Sequence, residues 1–119
     1  MKEKKIIAFD FDGVIASYDG WKGIAIFGKP NREVIKVMNG LHDKGCRVII
    51  WTTRQETPKL RAWLKKNKVR HDGINTNSHN PPNTSAKPVY HAFVDDRAVN
   101  YKPGVDLQKE LNKILDKKL

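Results

Sequence analysis

"IIAFDFDGVIAS", residues 6–17, sets an apolar run against two aspartates one residue apart, with Gly13 directly after them. The run is short and rich in isoleucine, which predicts a buried strand over residues 5–10, "KIIAFD". Side chains two apart on an extended backbone point to the same side, so Asp10 and Asp12 can face one reaction centre. Two like charges held that close are costly unless a cation joins them or one keeps its proton. The question is what the strand end gains from them.

Further strand and helix signals alternate along the chain. Residues 31–44 carry Val34, Ile35, Met38 and Leu41 at helical spacing, and Gly45 stops the run. "CRVIIWTT", 46–53, is β-branched and apolar, a second buried strand. Pro58 opens a helix with Leu60, Trp63 and Leu64 on one face. A short strand is expected near 72–76, and "NSHNPPNTSAKP" is a loop by composition. "YHAFVDD", 90–96, resumes a strand, and residues 105–118 place Val105, Leu107, Leu111, Ile114 and Leu115 at helical spacing. Strands alternating with helices predict a single α/β, Rossmann-like domain over 1–119, a parallel sheet with helices on both faces. Ligands of such sheets bind at the carboxyl ends of the strands. Asp10, Thr52, Asp95 and Asp96 all fall at predicted strand ends, so three strands deliver polar groups to one edge.

The chain has 119 residues, 39% of them hydrophobic and 30% charged, the make-up of one globular domain. No apolar run is long enough to span a bilayer, and the basic start "MKEKK" leads into an apolar stretch that breaks at Asp10, too early for a secretory signal. With Cys46 as the single cysteine, no internal disulfide forms, and a reducing cytoplasm is the expected compartment. Lys+Arg 23 against Asp+Glu 13 leaves a net charge of +10, which suits anionic partners or serves solubility alone. The histidines show no metal spacing of the HExxH kind.

A magnesium ion is the expected answer to the paired carboxylates: it is hard, takes oxygen ligands, keeps waters and accompanies phosphates. Asp95 and Asp96 supply further oxygens, unless they cap a following helix instead. A carboxylate nucleophile attacking phosphorus needs a second carboxyl group to protonate the leaving oxygen, and Asp10 and Asp12 suit the two tasks. A calcium loop counted from Asp10 fails, because Val14, Ile15 and Trp21 stand at the fifth, sixth and twelfth positions.

"AFDFDGVIA" (8–16), "VIIWTTR" (48–54), "KP" (87–88) and "AFVDDR" (92–97) follow in the order of the four motifs of the haloacid dehalogenase-like superfamily. The chain resembles its small, capless phosphatase-like members over nearly its whole length. The resemblance implies that Asp10 is the nucleophile that becomes an aspartyl-phosphate and that Asp12 is the general acid and base, its backbone carbonyl also on the magnesium. It implies that Thr52, or its neighbour Thr53, holds a phosphoryl oxygen and that Lys87 steadies nucleophile and phosphate. Asp95, with Asp96, would complete the magnesium site. The second aspartate is similar to what phosphatases carry and dehalogenases lack.

Around this expected site, Gly13 is counted with the phosphate contacts, and Arg54 and Arg97 either fork onto a phosphate or pair with an aspartate. Residues 17–29 hold "GIAIFG" between glycines, a small flap rather than a cap domain. Trp21, Tyr18 and the loop 77–86 are the expected substrate contacts, with Trp21 alternatively pinning the flap to the body. An open site of this kind suits a phosphate on something larger, or completion by a second subunit in a homo-oligomer. The expected activity is magnesium-dependent hydrolysis of a phosphomonoester, small molecule or nucleic-acid end. The "DDR" signature is similar to polynucleotide 3′-phosphatase domains, which makes an end phosphatase the second reading. A non-catalytic binding protein of the same fold is the third.

Overall fold

The computed structural model describes residues 4–119, so Met1–Glu3 lie outside the described residues. Strand β1, Ile6–Phe9, lies at the centre of a four-stranded sheet with β2, Arg47–Ile50, β3, Gly73–Ile74, and β4, Ala92–Val94, in the order β3-β2-β1-β4. All pairings are parallel, with Ile6 opposite Arg47, Ile7 opposite Ala92 and Ile49 opposite Gly73. This is an α/β, Rossmann-like architecture. The strand order reverses direction between β1 and β4, which puts the crevice of such a sheet beside Asp10 and Asp95.

Strand alternation divides the core. Phe9, Val48, Ile50 and Ile74 face one side, where they pack with Ile35 and Met38 of helix α1, Arg32–Asp43, and with Leu60 and Leu64 of helix α2, Pro58–Lys66. Both helices start as their sequences predict: the Asn31 side chain accepts from the Val34 amide, and Thr57 accepts from Leu60 just before Pro58. The opposite face carries a smaller cluster of Ile6, Ala8 and Ile49, joined by Trp51 and Phe93.

That second face departs from the expected helical cover. The return from β3 to β4 must cross it to stay right-handed, and residues 75–91 make the crossing without a helix. Helix α3, Leu107–Asn112, is shorter than the predicted 105–118 and has no buried residue. Asp106 caps its start, but Leu115 is 69% exposed and the chain past Asn112 continues in turns, with Ile114 donating to Leu111 and Lys117 to Ile114. Short helices hold together mainly by burying an apolar face, and this one buries none. Asp95 and Asp96 precede no helix directly, so they do not cap one. Among the described residues no helix is long and apolar enough to cross a membrane.

The flap leaves the sheet through a narrow neck. The Ser17 amide donates to the Lys29 carbonyl, Lys29 donates to the Ser17 hydroxyl, and Ala16 bridges Pro30. A Cβ on Gly28 would lie 1.8 Å from the Ser17 carbonyl oxygen, a backbone atom with nowhere to go. Gly28→Ala should therefore cost about 1–3 kcal/mol of stability. Gly40, inside α1 with nothing within 4 Å of its Cβ position, should gain about 0.5–1 kcal/mol as Ala. Urea denaturation of the two variants checks both signs.

Candidate functional site

Asp10 follows β1, its amide donating to the Val94 carbonyl of β4, so the strand pairing itself fixes its backbone beside Asp95. One carboxylate oxygen from each of Asp10, Asp95 and Asp96 lies within 4.8 Å of the others. Asp10 Oδ1 accepts from the Phe11 amide at 2.8 Å, and Asp95 Oδ1 accepts from the Arg97 amide at 2.9 Å. Asp96 Oδ1 is buried without a hydrogen-bond partner. Burial pushes the Asp10 carboxyl from 3.8 up to about 6, and the charges of Asp95, Asp96 and Asp12 add to the rise, while the Phe11 amide works against it. Crowded oxygens, one of them orphaned, are the donor set of a hard divalent cation. The trio therefore fits a metal by its chemistry.

Asp12 is not part of the trio. Its carboxylate takes a two-pronged contact from Arg54, Nε to Oδ2 at 2.9 Å and Nη2 to Oδ1 at 3.1 Å. Arg54, expected as a phosphate contact, is 5% exposed and donates also to the Ile26 carbonyl at 2.8 Å. The pairing with an aspartate, the alternative given for it above, is what the structure holds. Like a buried ion pair generally, it needs every prong satisfied to offset desolvation.

Gly13 serves space rather than substrate. Its φ is +87°, a Cβ there would sit 2.4 Å from Asp96 Oδ2, and its amide already donates to the Ala16 carbonyl. Only glycine lets Asp96 come this close to the first loop. Thr52 follows β2. Its hydroxyl oxygen accepts from the Arg54 amide at 3.2 Å, which leaves the hydroxyl proton free to donate outward. Thr52 and Thr53 line a cavity of about 240 Å³ with Asp10 and Asp95. Thr53 also borders a neighbouring cavity of about 290 Å³ with Asp10, Asp12, Tyr18 and Trp21. Trp21 borders this cavity, and its ring lies 4.8 Å from the Arg54 guanidinium.

Lys87 is not brought to the aspartates. Arg47, the first residue of β2, binds Asn77 and Ser78, and Asn80 in turn holds the backbone of Lys87 and Val89. His91 then pairs with Ile6 at the start of β1. These anchors tie the whole loop 77–91, Lys87 included, to the amino edge, across the sheet from Asp10. The loop 77–86 is removed from the candidate site in the same way.

Two contributions escaped the sequence. Lys117 reaches back from the far end of the chain, donating to the Asp96 carbonyl at 2.7 Å with its ammonium 3.4 Å from Asp96 Oδ2. Among 23 basic residues nothing singles it out. The residues after it lie over the mouth: Arg97 donates to the Lys118 carbonyl, Lys118 pairs with Asp19, and Trp21 donates to the Leu119 carbonyl. Lys118 holds the Asp19 carboxyl below its ordinary range. The second is Asn75, at φ 58°, which accepts from the Thr52 amide and donates to the Arg54 carbonyl, clamping the turn between them. An asparagine just after a strand is a signal for such a left-handed clamp.

No model of a protein family matches the chain, and no curated protein does either. A solved structure, described as a conserved protein coded by a locus of Bacteroides thetaiotaomicron, is similar with a TM-score of 0.65 and 22% identity, over 94% of this chain and 90% of that one. At that identity the likeness bears on the fold alone, and it agrees with the parallel sheet described above.

The raised Asp10 carboxyl makes a prediction for the metal-free protein. Between 3.8 and about 6 the folded chain keeps a proton that the unfolded chain has lost. The stability tied to that proton is fully present below 3.8 and lost as pH rises through about 6. Melting in EDTA from pH 4 to 7 should show this decline, and Asp10→Asn should flatten it and melt higher at pH 7. An unchanged slope in the variant contradicts the assignment.

Proposed function

We propose that this chain is a magnesium-dependent phosphatase that hydrolyses a phosphomonoester through an aspartyl-phosphate on Asp10, as a haloacid dehalogenase-like enzyme would. The observation that carries the reading is the unequal treatment of two neighbouring aspartates. Asp10 joins a crowded acidic trio within 4.8 Å, whereas Asp12 is turned out of it onto a guanidinium. Two carboxylates in different surroundings suit two different chemical tasks.

Asp10, Asp95 and Asp96 would hold the magnesium, which when bound offsets the charge of the phosphoryl group. An Asp10 oxygen attacks phosphorus, the bond from phosphorus to the ester oxygen breaks, and Asp12, turned from Arg54 and protonated from solvent, gives that oxygen its proton. Water then attacks phosphorus and Asp12 takes a proton from it, which restores both aspartates and releases inorganic phosphate. Thr52 donates its free hydroxyl proton to a phosphoryl oxygen, and Lys117 keeps Asp96 in place. The reading gives Lys87 no part at the reacting atoms.

An end phosphatase of nucleic acids is the second reading, favoured by the net charge of +10 and by Trp21, 55% exposed beside the site and able to stack a base. Both readings are tested on one panel of phosphomonoesters that includes 3′-phosphorylated oligonucleotides. Chelation should abolish turnover and added magnesium restore it, while full activity in EDTA contradicts the proposal. A steep fall of kcat/KM with salt on the oligonucleotides marks the end phosphatase. A preference for a small ester that salt leaves alone retires it. No turnover of any ester leaves the binding-protein reading.

A further inference from the structure

The Arg54 guanidinium holds Asp12 and the flap at the same time. Besides its two prongs on Asp12, it donates to the Ile26 carbonyl and points toward that of Ile24, 3.5 Å away, both in the flap. It also lies between aromatic rings: Phe27 and Trp21, each 4.8 Å from it, belong to the flap, and Phe11, at 5.5 Å, to the loop that carries Asp12. Phe11 and Phe27 meet edge to face with centroids 6.1 Å apart. Arg54 leaves neither partner free to move alone. A guanidinium has a fixed fork of donors and a stackable face, and here the fork is divided between Asp12 and Ile26 while the faces meet flap rings.

We propose that Arg54 is a positioning residue that couples the flap, residues 17–29, to the orientation of Asp12. When the flap lifts, it draws away the Ile26 carbonyl and the Trp21 and Phe27 rings, and Asp12 loses the partner that fixes it. When Asp12 turns toward a leaving group, the guanidinium loses the charge that holds it under the flap. Thermodynamic linkage makes the two directions equal in size. Substrate entering beneath Trp21 thereby reaches the proton donor through one side chain. The proposal rests on the phosphatase reading for the meaning of Asp12, though not for the coupling itself.

The coupling has a readout that needs no activity. Hydrogen exchange followed by peptide should show flap amides, Ile26 and Trp21 among them, exchanging at least about fivefold faster in Asp12→Asn, with β1 and β2 unchanged. Arg54→Lys keeps the charge without the fork and should speed the same amides. If Arg54→Lys fails to fold, Trp21→Ala, an exposed position, replaces it. Flap exchange that stays at the native rate in Asp12→Asn overturns the coupling. So does acceleration spread evenly over the sheet.

The second arm uses turnover of an alkyl phosphate, whose poor leaving group needs the proton. Trp21→Ala should lower kcat more than KM on the alkyl ester and slow the first-turnover release of p-nitrophenol from p-nitrophenyl phosphate, which needs little proton transfer, by a smaller factor. The same fold-change on both esters marks a purely structural tryptophan and overturns the proposal. Absence of hydrolysis by the native protein overturns the phosphatase reading instead, and the exchange arm then decides the coupling by itself.

Discussion

Like-charge repulsion at one sheet edge is the constraint that organises this molecule. Two unit charges about 4 Å apart repel by about 4 kcal/mol at an effective dielectric near 20, and here Asp10, Asp95 and Asp96 bring oxygens within 4.8 Å with Asp12 close by. Each carboxylate is relieved differently. Asp12 is turned onto Arg54, Asp96 is met by Lys117, Asp95 accepts an amide from Arg97, and Asp10 holds its proton more tightly than usual. A chain that served only to fold would place an apolar residue at one of these positions. Keeping all four is what the proposed handling of a cation and a phosphate requires.

These relief contacts also knit the periphery of the fold to its centre. Arg54 carries the flap because its remaining donors and its faces find the Ile26 carbonyl and the Phe27 and Trp21 rings. Lys117 carries the far end of the chain, which continues over the mouth through Lys118 and Leu119. The sheet supplies the positions of Asp10 and Asp95 through a single parallel pairing, β1 with β4, and the flap and tail close around the result.

Strands β1 and β2 and the first two helices were legible because burial and local signals agree there. Ile6–Phe9 and Arg47–Ile50 are apolar runs that end where polar groups begin, and Asn31 and Thr57 cap helices whose apolar faces enter one core. The predicted helix 105–118 failed beyond Asn112 because its leucines meet no core, and spacing alone does not report what a face packs against. The acidic trio was legible from strand ends. Lys87 was misplaced because its motif position says nothing of the loop that leads to it, which Arg47, Asn80 and His91 fasten to the amino edge. The burial of Arg54 depends on rings and carbonyls spread over residues 11 to 27, contacts that no local pattern announces.

The central claim is that Asp10 and Asp12 divide the chemistry, one bonding to phosphorus and the other moving protons. The most direct measurement is peptide mapping of Asp12→Asn protein, quenched in acid after brief exposure to p-nitrophenyl phosphate and magnesium. That ester leaves with little need of a proton, so the first step survives while the water that clears the intermediate has lost its base. The account predicts a phosphoryl group on Asp10 in this variant and none in Asp10→Asn. A phosphoryl group on another residue, or native turnover by Asp10→Asn, contradicts it.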